Sequence, residues 1–364
     1  MKKILPLLIA SALIAPHASH AAPALSVSAK SAIVMSSDGD VLFEHNADEV
    51  LPMASTTKIM TCLIALEECD DDEVVTVTDA SAGIEGTSLY MKSGDEATVR
   101  DLIFAAMLRS ANDAASALAV HISGDEESFS RLMNDRASEL GLDGTHFTNP
   151  HGLPSEGHHT TARDLARLAA FAMKNELFAA VVSTKEYVVT LNGDEKRPVK
   201  NHNKLLFTYD GACGVKTGFT KESGRCLVSC AERDGVRIIA VTLGAPDDWR
   251  DHRAMLDYGF EILVYAKVLS PGQIRREFHV FGDGVVTAVN TEALFATVRV
   301  GSELSYVVEG DRFASLPVKR GDVVARVRVM SDGRAVGCAD LVATDSHSLP
   351  PRETLVDKIK KLLG

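Results

Sequence analysis

The chain has 364 residues, 46% of them hydrophobic and 24% charged, with a formal net charge of -12. Such a length and apolar content supply a core to each of two globular domains. The acidic balance argues against nucleic acid as a partner, because a phosphate backbone is held by excess lysine and arginine.

Residues 1–21 begin with Lys2 and Lys3, continue through the apolar run Ile4 to Ile14 and end at Ser19-His20-Ala21. A positive start, a short apolar segment and small residues before a cleavage point describe a secretory signal peptide. The run is shorter than the ~20 residues needed to cross a bilayer, which makes a membrane anchor the poorer reading. The mature chain is therefore expected outside the cytoplasm. It opens with Ser31-Ala32-Ile33-Val34-Met35, a turn at Ser37-Asp38-Gly39-Asp40, and Val41-Leu42-Phe43-Glu44, the pattern of a β-hairpin.

Pro52-Met53-Ala54-Ser55-Thr56-Thr57-Lys58 then leads into nearly unbroken apolar residues from Ile59 to Leu66, with no glycine or proline. This predicts a helix buried on most sides, with its polar residues in the first turn. Ser55 and Lys58 are three apart and share one face. A serine hydroxyl attacks poorly until a base takes its proton, and a desolvated lysine of lowered pKa is such a base. An isolated Ser-x-x-Lys is more often a helix cap followed by a solvated lysine. Here the helix is too apolar to have a solvated face, and the motif occurs once in the chain. The acidic stretch Cys69 to Glu73 would oppose the dipole at a helix C-terminus, so a loop of solvated charge is expected there.

Thr98 with Asp101 reads as a capping box opening a helix from Val99 to about Leu108. That helix delivers Ser110-Ala111-Asn112 to a junction with a second helix, Asp113 to Ile122, where such residues are ordinarily caps. A further helix, Glu126 to Leu140, stops at Gly141, and a capping box from Thr161 to Asp164 opens another to about Lys174. His151, His158 and His159 fall in the intervening loop. Without carboxylate or cysteine partners at ligand spacing they are read as structural or surface residues.

From Glu186 the periodicity changes to that of strands: Tyr187 to Leu191, Cys226 to Ala231, and Arg237 to Leu243, the last two joined by a turn at Arg233-Asp234-Gly235. Just before this pair stands Gly214-Val215-Lys216-Thr217-Gly218-Phe219-Thr220. On an edge strand lining a cleft, Lys216 and Thr217 offer a cation and a hydroxyl to a substrate carboxylate, while Gly218 permits close backbone approach. The plainer alternative is a strand-end turn with an exposed lysine.

Six cysteines in an exported chain invite a disulfide reading, but local spacing opposes it. Cys226 and Cys230 on one strand would stand roughly 13 Å apart, and Cys62 and Cys69 on one helix about 10 Å, too far to bridge. Buried free thiols are expected, and any disulfide must be long-range. No Cys-x-x-Cys or His-Glu-x-x-His offers a zinc site.

Ser-x-x-Lys, Ser-x-Asn and Lys-Thr-Gly, each present once and in this order, form the signature of the penicillin-recognising active-site serine enzymes. With Leu51 to Lys58, Met107 to Ala115, Asn149-Pro150-His151-Gly152-Leu153 and Gly214 to Gly218 around them, the chain resembles the serine-type D-alanyl-D-alanine carboxypeptidases, the low-molecular-mass penicillin-binding proteins. The resemblance covers about 31–263 and extends more loosely to about Ala343. It implies an α+β fold: a β-lactamase/DD-peptidase-like catalytic domain, with an antiparallel sheet flanked by helices and a helical subdomain, then a small all-β sandwich. The expected division is 1–21 signal peptide, 22–269 catalytic domain, 273–345 β-sandwich and 352–364 a terminal amphipathic helix.

The resemblance further implies that Ser55 attacks the carbonyl between two terminal D-alanines of a peptidoglycan stem peptide, that Lys58 takes its proton, and that Ser110 and Asn112 complete a relay and position the substrate. Lys216 and Thr217 would bind the terminal carboxylate, and the backbone N–H groups of Ser55 and Phe219, beside Gly218, would form the oxyanion hole. No metal or organic cofactor is implied, and β-lactams are expected to acylate Ser55. An arginine often assists the carboxylate in such enzymes; Arg250 is the candidate carried forward, with Arg253 competing. Cys213, where the family often has an acidic residue, is expected to make the site thiol-sensitive. A class A β-lactamase is disfavoured because the Glu-x-x-Leu-Asn loop is absent, whereas an endopeptidase or transpeptidase of the same family, or a β-lactam-binding sensor without turnover, stays open.

Beyond Leu269, Ser270-Pro271-Gly272 reads as a linker, followed by short strands with turns at Gly282-Asp283-Gly284, Glu309-Gly310-Asp311, Arg320-Gly321-Asp322 and Ser331-Asp332-Gly333. Its role is expected to be raising or orienting the catalytic domain. In the tail, Leu355, Ile359, Leu362 and Leu363 gather near one helical face beside Lys358, Lys360 and Lys361, which suits either a membrane surface or docking on the protein itself.

Overall fold

The computed structural model describes residues 12–13, 25–280 and 284–348. Apart from Ala12–Leu13, the expected signal peptide lies outside the described residues, as does the expected terminal helix. Among the described residues no helix is long and apolar enough to cross a membrane. The chain divides into two compact units, Ala21–Ile262 and Leu263–Gly364 with Met1–His20.

The first unit is built on a five-stranded antiparallel sheet. Its strands run in the order Val41–His45, Ser31–Ser36, Val236–Leu243, Gly224–Arg233, Ala212–Thr220. Ser31–Ser36 is buried at all six positions, because the helices Ala162–Ala172 and Asp248–Ile262 both pack against it and against Val236–Leu243. A strand without a solvated face reads as a continuous apolar run, which is how Ala32 to Met35 appears in the sequence. Asp234 and Gly235 both take positive φ, 49° and 79°, the geometry a two-residue hairpin turn requires. The strand holding Lys216 lies at one edge of the sheet, as expected.

The helix Lys58–Glu68 passes through the centre of this unit. Residues Lys58 to Ala65 are all buried, against Asn112–Ser123, Glu126–Glu139, Ala162–Ala172 and Glu176–Ser183. Of both expected capping boxes the N-cap half forms, Thr98 accepting from Asp101 N–H and Thr161 from Asp164 N–H, while the Asp101 carboxylate accepts from the Thr98 hydroxyl and that of Asp164 from Gly144 N–H. One departure matters for the site. The helix from Val99 is regular only to Phe104; it widens into a π-turn over Ala105–Arg109, and Ser110 then takes a left-handed conformation at φ 67°.

The second unit joins a six-stranded sheet to a two-stranded one. The large sheet runs Ala12–Leu13, Glu303–Glu309, Val323–Ser331, Arg334–Ala343, Gly284–Asn290, Arg275–Val280; the small one pairs Leu263–Leu269 with Leu294–Arg299. Val268, Phe278, Val286, Val298, Val327, Val329 and Leu341 share its core. The boundary therefore falls at Ile262, ahead of the expected Leu269, because Leu263–Leu269 is a strand of the second unit. The expected linker is a turn inside that unit: Gly272 N–H donates to Asn290 O at 2.7 Å, and Asn290 Nδ2 to Ser270 O at 2.8 Å. All six cysteines carry free thiols, with Cys62, Cys226 and Cys230 buried and Cys338 exposed.

Candidate active site

Ser55 belongs to a turn of 3-10 helix, Ala54–Thr57, that tightens the chain just ahead of Lys58–Glu68. Ala54 is held at φ 49°, a conformation an alanine adopts only under constraint. The constraint comes from the neighbouring hydroxyls: Thr56 Oγ1 donates to Met53 O at 2.6 Å, and Thr57 Oγ1 to Ala54 O at 2.8 Å. His158 secures the same turn, its Nε2 lying 2.7 Å from Thr57 Oγ1.

Lys58 is fully buried, and its Nζ has three oxygen neighbours: Ser55 Oγ at 3.1 Å, Asn112 Oδ1 at 2.7 Å and His151 O at 2.6 Å. Two of these are carbonyl-type oxygens that can only accept. A neutral amine giving its two hydrogens to them points its lone pair at the serine hydroxyl. Burial, then the positive charge of Lys216, pushes the Lys58 pKa well below its ordinary value. Geometry and electrostatics thus agree on an amine that can accept the Ser55 proton.

The carbonyl of His151 belongs to this group although sequence reasoning had assigned that residue no part. Asn149 Oδ1 accepts from the N–H groups of His151 and Gly152 at 3.3 and 2.7 Å, and Thr61 Oγ1 donates to Pro150 O at 2.6 Å. The His151 ring meets Glu126 across 3.5 Å, and Ser116 donates to the other oxygen of that carboxylate. Gly152, at φ 88°, presses against the nucleophile turn: a β-carbon there would stand 2.0 Å from Ala54 O and 2.9 Å from Ser55 N. The run Asn149 to Leu153 is thus a backbone clamp on Ser55 and Lys58.

Asn112 begins the helix Asn112–Ser123, and its Nδ2 donates to Glu85 O at 2.6 Å while its own N–H donates to Thr87 O at 2.7 Å. The next residue, Asp113, is fully buried and accepts from the N–H groups of Leu89 and Met91 at 3.0 and 3.1 Å. Together they pin the irregular segment 85–91, another contribution the sequence alone did not reveal. Ser110, two positions earlier, is buried at the end of the π-turn.

On the edge strand, Lys216 is buried and donates from Nζ to Thr217 O at 3.0 Å. It makes no salt bridge among the described residues, and burial lowers its pKa to about 7. Gly218 stands against the Ser55 turn: a β-carbon on it would lie 3.1 Å from each of Ser55 N, Met53 O and Ala54 Cβ. Thr217 is partly buried and Phe219 is 65% exposed at the surface. Segments remote in sequence thus meet around one hydroxyl. Arg250 is placed differently. Its guanidinium lies 3.3 Å from Asp247 and 3.4 Å from Asp251, within its own helical turn, and Arg253 donates to Thr208. Local carboxylates engage the first, and the carbonyl and hydroxyl oxygens of Thr208 the second, and none of these contacts is with the Ser55 group.

Comparison with known proteins agrees with this geometry. The family model described as D-alanyl-D-alanine carboxypeptidase matches residues 17–247. The chain is 38% identical over 242 residues to the D-alanyl-D-alanine carboxypeptidase DacF of Bacillus subtilis, covering 64% of this chain and 62% of DacF. It is 33% identical over 343 residues to DacC of Escherichia coli, covering 88% of this chain and 84% of that relative. The solved structure of penicillin binding protein 5 from Haemophilus influenzae superposes with a TM-score of 0.69 at 27% identity, covering 89% of this chain and 98% of that one. With the three motifs in order and on one site, the chain belongs to the serine D-alanyl-D-alanine carboxypeptidase family of peptidases.

Proposed function

We propose that the protein removes the terminal D-alanine from peptidoglycan stem peptides through an acyl-enzyme on Ser55, as part of cell-wall maturation. The observation that carries this reading is the Lys58 amine, buried, 3.1 Å from Ser55 Oγ and already donating toward two carbonyl oxygens. Lys58 accepts the hydroxyl proton as Ser55 Oγ attacks the carbonyl carbon between the two D-alanines. The tetrahedral oxyanion is received by the N–H of Ser55, which the 3-10 turn leaves without a partner inside the helix, and by that of Phe219 on the facing strand. Gly218 supports this by letting the strand approach within van der Waals reach of Ser55 N.

Lys216 and Thr217 hold the terminal carboxylate, a role that suits a buried ammonium without a salt-bridge partner among the described residues. Ser110, beside Asn112, passes the proton to the leaving amine, and D-alanine departs. Asn112 orients both Lys58 and the peptide. Water, with Lys58 again as base, then hydrolyses the ester. A β-lactam mimics the peptide end and acylates the same hydroxyl. Arg250 assists the terminal carboxylate only by exchanging its contacts with Asp247 and Asp251 for it.

Action on cell-wall peptides requires the enzyme outside the cytoplasm, consistent with the signal-peptide pattern of residues 1–21. Residues 352–364 are suited to peripheral contact with the outer face of the membrane; deletion of this tail is expected to abolish partition into membrane pellets. The activity is tested by D-alanine release from a peptide ending in Lys-D-Ala-D-Ala. Wild type is expected to release it, and Ser55→Ala to lose both release and labelling by a fluorescent penicillin. Equal release by the two proteins would end the proposal.

A further inference from the structure

The edge strand Ala212–Thr220 pairs with Gly224–Arg233 through a register shift between Ala212 and Gly214. Ala212 stands opposite Ala231 and Gly214 opposite Cys230, which leaves Cys213 as the extra residue of a bulge. Its Sγ lies 3.0 Å from Cys230 Sγ. A disulfide bond is about 2.05 Å long, so the two sulfurs stand about 1 Å beyond bonding distance. Closing this pair asks the sulfurs to move together by about 1 Å, within reach of side-chain rotation.

We propose that Cys213 and Cys230 form a covalent redox site, closing to an intrachain disulfide that staples the Lys216 strand to its neighbour. The proposal rests on the extracytoplasmic reading above, since a reducing cytosol keeps such thiols open. The co-reactant is a disulfide, either a small one such as oxidised glutathione or that of a thiol oxidoreductase. Cys213 is partly exposed and Cys230 fully buried, so the first meets the oxidant and the second resolves the intermediate. The Cys213 thiolate attacks one oxidant sulfur and expels the other as a thiolate. Cys230, giving up its proton, then attacks Cys213 Sγ and expels the remaining carrier thiol. Two protein thiols are oxidised, one carrier disulfide is reduced to two thiols, and the two protons released by the cysteines end on those thiols. The environment supports this order: the hydrogen bond shared with Cys230 lowers the Cys213 pKa, with Arg237 assisting, while Cys230 is pushed up by that bond and by burial.

The purified full-length chain is equilibrated with oxidised or reduced glutathione, quenched by iodoacetamide in denaturant and digested with trypsin without reduction. Cleavage at Lys216, Lys221 and Arg225 separates the two cysteines, so only the disulfide keeps their peptides together. Oxidation is expected to yield that joined peptide, to remove two alkylatable thiols and to raise the melting temperature by about 5 °C, reversibly. Cys338→Ser is expected to retain all three effects and Cys213→Ser to lose them. The Cys230 peptide also carries Cys226, so fragmentation of the joined peptide must locate the bridge; full alkylation of both Cys213 and Cys230 after oxidation, or a bridge located at any other cysteine, would overturn the proposal. These are thiol readouts, so they stand or fall separately from D-alanine release.

Discussion

Gly218 and Ser55 meet backbone to backbone: a methyl group at Gly218 would stand 3.1 Å from the Ser55 nitrogen, in the space where an oxyanion is to be received. Such a contact is tight but can relax by a few tenths of an ångström, and Gly218 does not need a positive φ. Gly218→Ala is therefore expected to fold, with a stability loss of about 1 kcal/mol, while penicillin acylation falls about 100-fold, as when an oxyanion donor is lost. Gly152→Ala is the contrast, because there the methyl group would lie 2.0 Å from a backbone oxygen at φ 88°. It is expected to cost more than about 3 kcal/mol and to lower the yield of folded protein. Urea denaturation together with acylation kinetics separates the two outcomes.

The two buried lysines set a pH dependence. Catalysis as proposed needs Lys58 neutral and Lys216 charged, and the Lys216 charge is among the causes that drive the proton from Lys58. Lys216 itself loses its proton near 7 in the free enzyme. The second-order acylation rate is expected to be bell-shaped, with the acid limb from Lys58 and the alkaline limb near 7 from Lys216. In Lys216→Arg the alkaline limb should vanish, because a guanidinium keeps its proton, even if the rate is lower throughout. A wild-type rate that continues to climb past pH 9 would contradict the assignment.

Lys216 also weakens the fold it serves. Its folded pKa of about 7 lies below the ordinary 10.5, so the unfolded chain binds the proton more tightly. Stability from this group is full above 10.5, is lost as pH falls toward 7, and stays lost below. Lys216→Met removes the titration at the cost of the hydrogen bond to Thr217 O. It is expected to be more stable than wild type at pH 7, by on the order of 2 kcal/mol, with the gain shrinking toward pH 10. Peptide hydrolysis should fall mainly through a higher KM, since the carboxylate loses its cation. Paired denaturation curves at the two pH values and steady-state kinetics check both halves.

Much of this site was legible because its side-chain chemistry falls in short local patterns. Ser55 and Lys58 are one turn apart, and Thr98 and Thr161 cap as their spacing foretells. The parts that stayed hidden act through backbone atoms or long-range contacts. The His151 carbonyl has no signature of its own, since every residue carries one; its importance comes from Asn149 and Gly152 aiming it. The 3-10 turn at Ser55 and the π-turn before Ser110 are likewise set by packing, not by propensity. Leu263–Leu269 looked like the end of the first domain because its partner, Leu294–Arg299, lies well along the chain. Arg250 was put forward by the family resemblance, and its contacts are with the neighbouring Asp247 and Asp251.

His252, which has no part in the proposed chemistry, tests the packing of the sheet against its covering helix. It is fully buried, with Nδ1 at 2.5 Å from Ser229 Oγ and Nε2 at 2.9 Å from Thr242 Oγ1, tying Asp248–Ile262 to two strands. Hydroxyls can serve one ring nitrogen as donor and the other as acceptor, which suits a neutral ring. Burial lowers its pKa from 6.5 to about 3. The unfolded chain therefore takes up the proton first as the solution is acidified. Stability from this group is intact above 6.5 and drains away as pH falls toward 3, with about 2 kcal/mol gone by pH 5. His252→Gln keeps a donor and an acceptor without titrating, so it should be less stable than wild type at pH 7 by a margin that narrows by about 2 kcal/mol at pH 5. His158, also depressed to about 3, titrates in both proteins and cancels in the difference. An unchanged margin at the two pH values would mean that the ring is already charged, or that the sheet opens to water around it.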